Sequence, residues 1–174
     1  MTLAWALLIL RVAVGLTLVA HGTQKLFGWF GGSGVVKLAR GFAARGFAPA
    51  WLWVALVIVG EVGGGLSLAF GFLTPLGAAG ALGAMAMAAS THVKHGFFNS
   101  KGGLEYPLAL LAMSLAVGIA GPGAYSLDGL FKIVLPVQVF LALAGAALLV
   151  DAIGIFITRS ASVASAGRHP GAAA

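Results

Sequence analysis

The chain has 174 residues, of which 60% are hydrophobic and only 8% are charged. A soluble domain carries about 25% charged residues, and a soluble fold of this length could not bury so much apolar surface. The composition therefore excludes a soluble globular protein and predicts an integral membrane protein. The net charge of +6 comes mostly from basic residues between or beside apolar runs, which indicates membrane topology rather than nucleic-acid binding. The chain contains no cysteine, so it can form neither a disulfide nor a cysteine-ligated metal site.

Five apolar runs follow one another along the chain, each near the length of about 20 residues that a helix needs to cross a bilayer. They cover Leu3–Phe27, Trp51–Phe72, Pro75–Thr91, Leu104–Ala120 and Ile133–Ile157. The pattern predicts an all-α integral membrane protein with a four-helix transmembrane core and a fifth, C-terminal span. Residues 1–157 form the predicted bundle. The small and polar residues 158–174 are predicted to form a disordered cytoplasmic tail.

The loops between the runs differ in charge. Basic residues cluster after the first, third and fifth runs, at Lys37, Arg40, Arg45, Lys94, Lys101, Arg159 and Arg168. The other side carries only Lys132, beside Asp128. Because positively charged loops stay in the cytoplasm, the N-terminus is predicted outside a bacterial cytoplasmic membrane and the C-terminus inside. Four spans would place Arg159 and Arg168 outside, so the charges also favour five.

The segment 31–47 after the first run has two possible structures. Val35, Leu38, Ala39 and Phe42 fall on one face of a helix, whereas Lys37 and Arg40 fall off it. This spacing favours a short helix lying in the membrane interface. The glycines of the segment are equally compatible with an irregular connector.

Arg11 and Glu61 are full charges within apolar runs. At about 1.5 Å per residue, Arg11 lies roughly 12 Å from the outer end of its run and Glu61 roughly 15 Å from the inner end. Both are expected near the bilayer centre, where an unpaired charge costs on the order of 3 kcal/mol or more. We therefore expect a buried Arg11–Glu61 ion pair, which either serves a function or only locks the bundle.

Polar residues are expected to gather near the cytoplasmic end of the bundle. On the first helix, His21 and Lys25 share an arc of about 80° with Arg11. The expected cluster consists of His21, Lys25, His92, His95 and Glu105. Three interpretations remain open: a site for a quinone headgroup or small anion, a metal site, or an interface rim whose side chains reach lipid phosphates.

Three stretches of sequence together resemble the DoxX family of small bacterial membrane proteins. They are "LRVAVGLTLVAHGTQKLFGWF", "VGEVGGGLSLAFGFLTPLGA" and "HGFFNSKGGLEYPLALLAMSLAVGIAGPGAYSLDG". The resemblance covers residues 5–129 and is carried by the combination of motifs, since each motif alone is weak. The residues at positions of the family pattern are Arg11, His21, Lys25, Glu61, His95, Glu105 and Asp128.

The resemblance implies a four-helix membrane core and association with redox complexes. Relatives include the quinone-reducing membrane subunits of thiosulfate:quinone oxidoreductase, and mycobacterial members linked to superoxide dismutase and a sulfurtransferase. The fifth apolar run and the basic tail depart from this pattern.

From residues and resemblance together, we expect an accessory or quinone-interacting subunit of a bacterial membrane redox complex, at most a subunit of a quinone-linked oxidoreductase. The alternatives are a non-catalytic scaffold for soluble redox or stress-response partners, and a small transporter. Quinone is the expected cofactor, with no metal or nucleotide. The expected partners are membrane lipids and either other subunits or further copies of the chain, and nucleic acid is not among them.

The topology can be tested with single cysteines, because the native chain has none. Ser33→Cys and Ser165→Cys should both resist a membrane-impermeant thiol reagent in intact cells, since both positions are predicted to be cytoplasmic. Labelling of the Ser165→Cys variant alone would indicate four spans.

Overall fold

The computed structural model describes the backbone of residues 2–166 and the side chains of residues 2–160. All regular structure within residues 2–166 is helical. The α-helices are α1 (Thr2–Phe27), α2 (Gly34–Ala44), α3 (Ala50–Ile58), α4 (Gly64–Phe70), α5 (Thr74–His92), α6 (Glu105–Ala120), α7 (Leu127–Leu130) and α8 (Val137–Ala166). A π-helical turn, Val59–Gly63, joins α3 to α4. The two form one long helix, Ala50–Phe70, called the α3–α4 helix below.

Each of the five predicted apolar runs is a helix, which confirms the all-α membrane fold. Within residues 2–166, four helices are long and apolar enough to cross a bilayer, and the C-terminal α8 is one of them. The fourth run forms α6, which has only 16 residues. Its length of about 24 Å is shorter than a bilayer core of about 30 Å. The five-span topology therefore stays a prediction.

Helix α8 begins later than the apolar run that predicts it. The run starts at Ile133, whereas the helix starts at Val137, directly after Pro136. The amide of Ile133 donates instead to the carbonyl oxygen of Asp128 at 2.8 Å, which closes a turn before the helix. A proline lacks the amide hydrogen that a helix interior needs but is tolerated at a helix start.

Helix α8 also continues beyond its predicted end at Ile157. It ends at Ala166, so residues 158–166 are helical and the predicted disordered tail is wrong for this part. Neither glycine nor proline occurs in 158–166, and alanine favours continuation of a helix. Residues 167–174, including Arg168, lie outside the described residues.

The segment after α1 forms the short helix rather than an irregular connector. Helix α2 buries Ala39 and Phe42 from the predicted apolar face, whereas Lys37 and Arg40 are exposed. Burial of this face against the bundle stabilises the helix, because short helices gain most of their stability from packing.

Helix α1 packs antiparallel on the α3–α4 helix through glycines. A Cβ atom on Gly15 would lie 2.5 Å from the backbone oxygen of Gly65. A Cβ atom on Gly22 would lie 2.4 Å from a methyl carbon of Val62. Side chains cannot occupy these positions, so the two backbones approach closely and their register is fixed.

Helix α5 forms the centre of the bundle, in contact with the α3–α4 helix, α6 and α8. Its contact with the π turn is also backbone to backbone, since a Cβ atom on Gly60 would lie 2.5 Å from the oxygen of Gly80. The largest apolar cluster combines side chains from all five long segments, including Leu18, Leu68, Ala81, Val117 and Phe140.

Consecutive long helices alternate in direction, so the bundle has two distinct ends. The basic end holds the C-termini of α1, α5 and α8, together with α2 and the loop 93–104. Most basic residues lie there: Lys25, Lys37, Arg40, Arg45, Lys94, Lys101 and Arg159. The opposite end, called the Asp128 end, holds the turn between α4 and α5 and the segment 121–136.

Asp128 caps the central helix α5. Its buried carboxylate accepts hydrogen bonds from the amides of Leu73 and Thr74, at 2.7 and 2.9 Å, and from the Thr74 hydroxyl at 2.7 Å. A carboxylate at a helix N-terminus satisfies free amides and interacts favourably with the helix dipole.

Arg11 holds the other side of the same turn. Its guanidinium is buried and donates to the carbonyl oxygens of Leu68, at 3.1 Å, and of Tyr125. It also interacts electrostatically with Asp128. Gly71 lies against the guanidinium with a φ of +64°, and a Cβ atom there would lie 2.0 Å from Nη1. The α4–α5 turn is therefore held between a cation at the end of α4 and an anion at the start of α5.

Asp128→Ala should lower the free energy of unfolding by about 3 kcal/mol, because it leaves buried donors without their acceptor and removes the negative charge that acts on the Arg11 guanidinium. Asp128→Asn should cost less, since it retains one acceptor oxygen. Denaturant-induced unfolding in detergent measures both. The control is Glu105→Ala, which removes an exposed carboxylate bonded to one amide. Equal losses for Asp128→Ala and Glu105→Ala would contradict the capping role.

Candidate functional site

Lys25 and Glu61 form an ion pair between α1 and the α3–α4 helix. The Glu61 side chain is completely buried, whereas that of Lys25 remains 26% exposed. The second carboxylate oxygen of Glu61, Oε2, is also buried and has no hydrogen-bond partner among the described residues. A buried carboxylate with one oxygen unsatisfied is energetically costly, and such groups are frequent at functional sites.

Local backbone structure places Glu61 in this position. It is the central residue of the π-helical turn, Val59–Gly63. Single π turns within α-helices are rare and occur frequently at functional sites. The turn is approached closely by α1, because Gly22 has no side chain and a Cβ atom there would lie 3.1 Å from the Cβ of Glu61. Lys25, one turn further along α1, can therefore reach the carboxylate.

The expected Arg11–Glu61 ion pair is wrong. Arg11 contacts the Asp128 end, and the partner of Glu61 is Lys25. The expectation assumed that each apolar run begins at the membrane surface. The glycine contacts instead set a register in which Gly22 faces Glu61, and Arg11 lies about three helical turns away along α1.

His21 lies beside this ion pair but has a different partner. Its Nε2 atom and the Tyr106 hydroxyl are 3.1 Å apart and hydrogen-bonded, and the two rings are in contact. The charge of Glu61 in turn acts on the Tyr106 hydroxyl. His21, Lys25, Glu61 and Tyr106 thus form one polar group linking α1, the π turn and the start of α6.

The remaining members of the expected cluster are exposed and lie within the loop 93–104 or directly beside it, at the end of α5 and the start of α6. The ring of His92 is hydrogen-bonded through Nδ1 to the carbonyl oxygen of Gly102 at 2.7 Å. Glu105 accepts a hydrogen bond from the amide of Asn99 at 2.9 Å. The centroids of the His92 and His95 rings are 6.3 Å apart. The structure therefore divides the expected cluster into a half-buried part with His21 and Lys25 and an exposed part with His92, His95 and Glu105.

The positions of His92, His95 and Glu105 can be compared with the requirements of a metal site. Within the part of the chain that the structure describes, no three His, Asp or Glu side chains come together as a metal site would require. Glu105 instead orders the loop by accepting the Asn99 amide.

A cavity of about 300 Å³ lies at the basic end between α2, the α3–α4 helix and α5. Its inner wall is apolar and includes the buried Val57 and Met87. Its outer wall is basic and includes Lys37, Arg45 and His92. Lys25 lines the same cavity, so the ion pair with Glu61 forms part of its boundary.

Comparison with known proteins identifies the family. The family model described as DoxX matches residues 6–95, just over half of the chain. The chain belongs to the DoxX family. The matched segment holds the ion pair, the π turn and most residues around the cavity, and it ends before α6. No curated protein and no solved structure shows significant similarity to this DoxX chain.

Two polar residues of this DoxX protein were absent from the sequence-based site. The sequence does not indicate a site role for Tyr106, because a tyrosine at the start of an apolar run is typical of a membrane interface. Asp151 is an acid within the fifth apolar run, and its Oδ2 atom is buried without a hydrogen-bond partner in the described residues. It lines a groove of about 250 Å³ between α3, α5 and α8. The same signal that singles out Glu61, a charge within an apolar run, could have identified it.

A double-mutant cycle tests the ion pair. Lys25→Met should destabilise the DoxX protein by roughly 3–5 kcal/mol, because it leaves a buried carboxylate without its partner. Adding Glu61→Gln to Lys25→Met should restore part of this loss, so the double variant should lose less than the sum of the single losses. Unfolding in detergent provides the free energies.

The matched control is the cycle of Arg11→Met with Glu61→Gln. Its effects should add, since these residues are at different ends of the bundle. Additive effects in the Lys25 cycle, or coupling in the Arg11 cycle, would contradict the observed pairing.

Proposed function

We propose that the protein is a quinone-interacting membrane subunit of a bacterial redox assembly, and that the cavity at Lys25 holds the quinone headgroup. One observation carries the proposal. Lys25 pairs with the fully buried carboxylate of Glu61 and also lines a cavity with an apolar inner wall and a basic outer wall. A quinone headgroup requires this combination, since its ring is apolar and its carbonyl oxygens accept hydrogen bonds.

The cavity fits such a ligand in size and chemistry. Its volume of about 300 Å³ is at the lower end of the range of about 300–1,000 Å³ for ligand pockets. Val57 and Met87 offer apolar surface to a ring. The side chains of Lys25, Lys37 and Arg45 offer hydrogen-bond donors to carbonyl oxygens.

A bound quinone would supply two-electron, two-proton redox chemistry. The residues of this chain would bind the headgroup and hold protons close to it. Lys25 can donate a hydrogen bond to a carbonyl oxygen of the quinone. When Lys25 turns from Glu61 to the quinone, the Glu61 carboxylate can take up a proton and so avoid an unpaired buried charge. In neutral His92, Nδ1 donates to the carbonyl oxygen of Gly102, which leaves Nε2 as an acceptor for a hydroxyl hydrogen.

In this proposal the electrons come from another subunit, and the sequence has no cysteine for an iron–sulfur cluster or a thiol relay. We place the basic end on the cytoplasmic side, in agreement with the positive charge of its loops. A scaffold for soluble partners is the second candidate, and the exposed basic residues Arg40, Lys94 and Lys101 favour it. The transporter alternative depended on an Arg11–Glu61 pair at the bilayer centre and is not proposed.

The proposal can be tested with short-chain benzoquinone and naphthoquinone probes and the purified full chain. Ala88 lines the cavity from α5, so Ala88→Phe should fill part of it. This variant should weaken quinone binding by at least about tenfold, because overfilled sites cannot accommodate the ring without strain. Binding is measured by equilibrium dialysis.

The matched control is His21→Phe with His95→Phe, since neither side chain lines the cavity. This double variant should bind quinone like the native chain. If the control lost quinone binding and Ala88→Phe did not, the quinone site would lie at His21 or His95 and not in the cavity. Absence of quinone binding by the native chain would refute the proposal and favour the scaffold.

A further inference from the structure

A second cavity, of about 350 Å³, lies at the basic end. Its lining carries three positive charges from three separate segments: Arg45 after α2, Lys94 after α5 and Arg159 in α8. None of the described residues that line the cavity is acidic. We infer that this cavity binds the phosphate group of an anionic phospholipid, independently of the proposed quinone site.

The arrangement of the cations is the first reason. The fold brings together three side chains that are far apart in the sequence, and an anion placed between them would interact favourably with all three. The guanidinium groups of Arg45 and Arg159 match the geometry of phosphate oxygens, and Lys94 adds a further donor. Basic pockets between membrane helices bind lipid headgroups in the same way.

The hydroxyl groups of the cavity have a secondary role. Those of Ser90, Thr91 and Thr158 each donate to a backbone carbonyl three or four residues earlier in their own helix, at 2.7–2.8 Å. These bonds satisfy the hydroxyls within the helices, so recognition of a phosphate depends on the cations. The hydroxyl groups make the cavity lining polar next to the three cationic side chains.

The surroundings of the cavity favour a lipid over a soluble anion. Phe156 and Ile157, directly before the polar end of α8, are 72% and 60% exposed. In a helix of this length and hydropathy, such side chains face acyl chains. The cations therefore lie where the apolar surface ends, which is the level of lipid phosphates. A phospholipid could place its phosphate in the cavity and its acyl chains along α8.

The two cavities can be tested separately. They share Arg45 and Thr91, whereas Lys94 and Arg159 line only the second cavity. Changes at Lys94 and Arg159 should therefore affect phospholipid binding and leave quinone binding unaltered.

Native mass spectrometry of the detergent-purified full chain can measure binding of phosphatidylglycerol and of phosphatidylcholine with the same acyl chains. The native chain should bind one phosphatidylglycerol at least about tenfold more tightly than phosphatidylcholine. Lys94→Gln with Arg159→Gln should weaken phosphatidylglycerol binding by at least about tenfold, at about 1 kcal/mol per charge. If this pair fails to fold, Lys94→Gln alone should weaken it by about fivefold.

The matched control is Arg40→Gln with Lys101→Gln. It removes the same charge from exposed residues at the same end that line neither cavity. It should bind phosphatidylglycerol like the native chain. The charge-conserving pair Lys94→Arg with Arg159→Lys should weaken binding less than the glutamine pair does, since both charges remain.

Equal weakening in the test and control variants would overturn the inference, since binding would then follow overall charge. Equal affinity of the native chain for the two lipids would also overturn it. Inorganic phosphate serves as the third arm. Displacement of phosphatidylglycerol by an equal concentration of phosphate would show that the cavity binds soluble anions and that the lipid assignment is wrong.

Discussion

The close contact of α1 with the α3–α4 helix determines where the charges of this protein meet. Gly15, Gly22 and Gly65 let the two backbones touch, and the absence of side chains at these points allows one register. In that register Lys25 reaches Glu61, and Arg11 reaches the turn after α4. A shift by one helical turn, about 5.4 Å, would separate both cations from their partners.

The low dielectric of a membrane makes these partners necessary, and each end of the bundle provides them differently. At the Asp128 end the charges are bonded mainly to backbone: Arg11 donates to carbonyl oxygens, and Asp128 accepts from amides, while Arg11 Nε is buried without a hydrogen-bond partner among the described residues. Towards the basic end Glu61 is paired with the Lys25 side chain, and its second oxygen also has no hydrogen-bond partner among the described residues. The ends differ in what the charges contact: Arg11 and Asp128 bond to the α4–α5 turn and its neighbouring backbone, whereas Glu61 is bonded to a lysine that lines a cavity and can therefore respond to a ligand.

The basic end combines features that separately would carry little weight. A rare π turn presents Glu61, a partly exposed lysine connects it to a cavity, and a second cavity with three cations lies next to the first. Shared lining at Arg45 and Thr91 would allow a lipid in one cavity to influence a ligand in the other. The DoxX family match covers the elements that build the first cavity and ends before α6 and α8. Part of the second cavity is therefore built by α8, beyond the matched segment.

The sequence alone determined the membrane class, the five apolar helices and the set of charges that need partners. The membrane class and the helices follow from local composition and helical periodicity. The need for partners follows because a charge within a membrane-spanning apolar run is unfavourable in lipid and usually faces the bundle interior. Only the tertiary structure decided which charges meet. The length of an apolar run predicts the membrane depth of Arg11 and of Glu61 only to within several residues. Whether two such side chains meet depends on the axial position of one helix against the other, and an error of one helical turn changes the partner. This axial register comes from glycine contacts between helices, and helical periodicity does not predict the π turn that places Glu61 against Lys25.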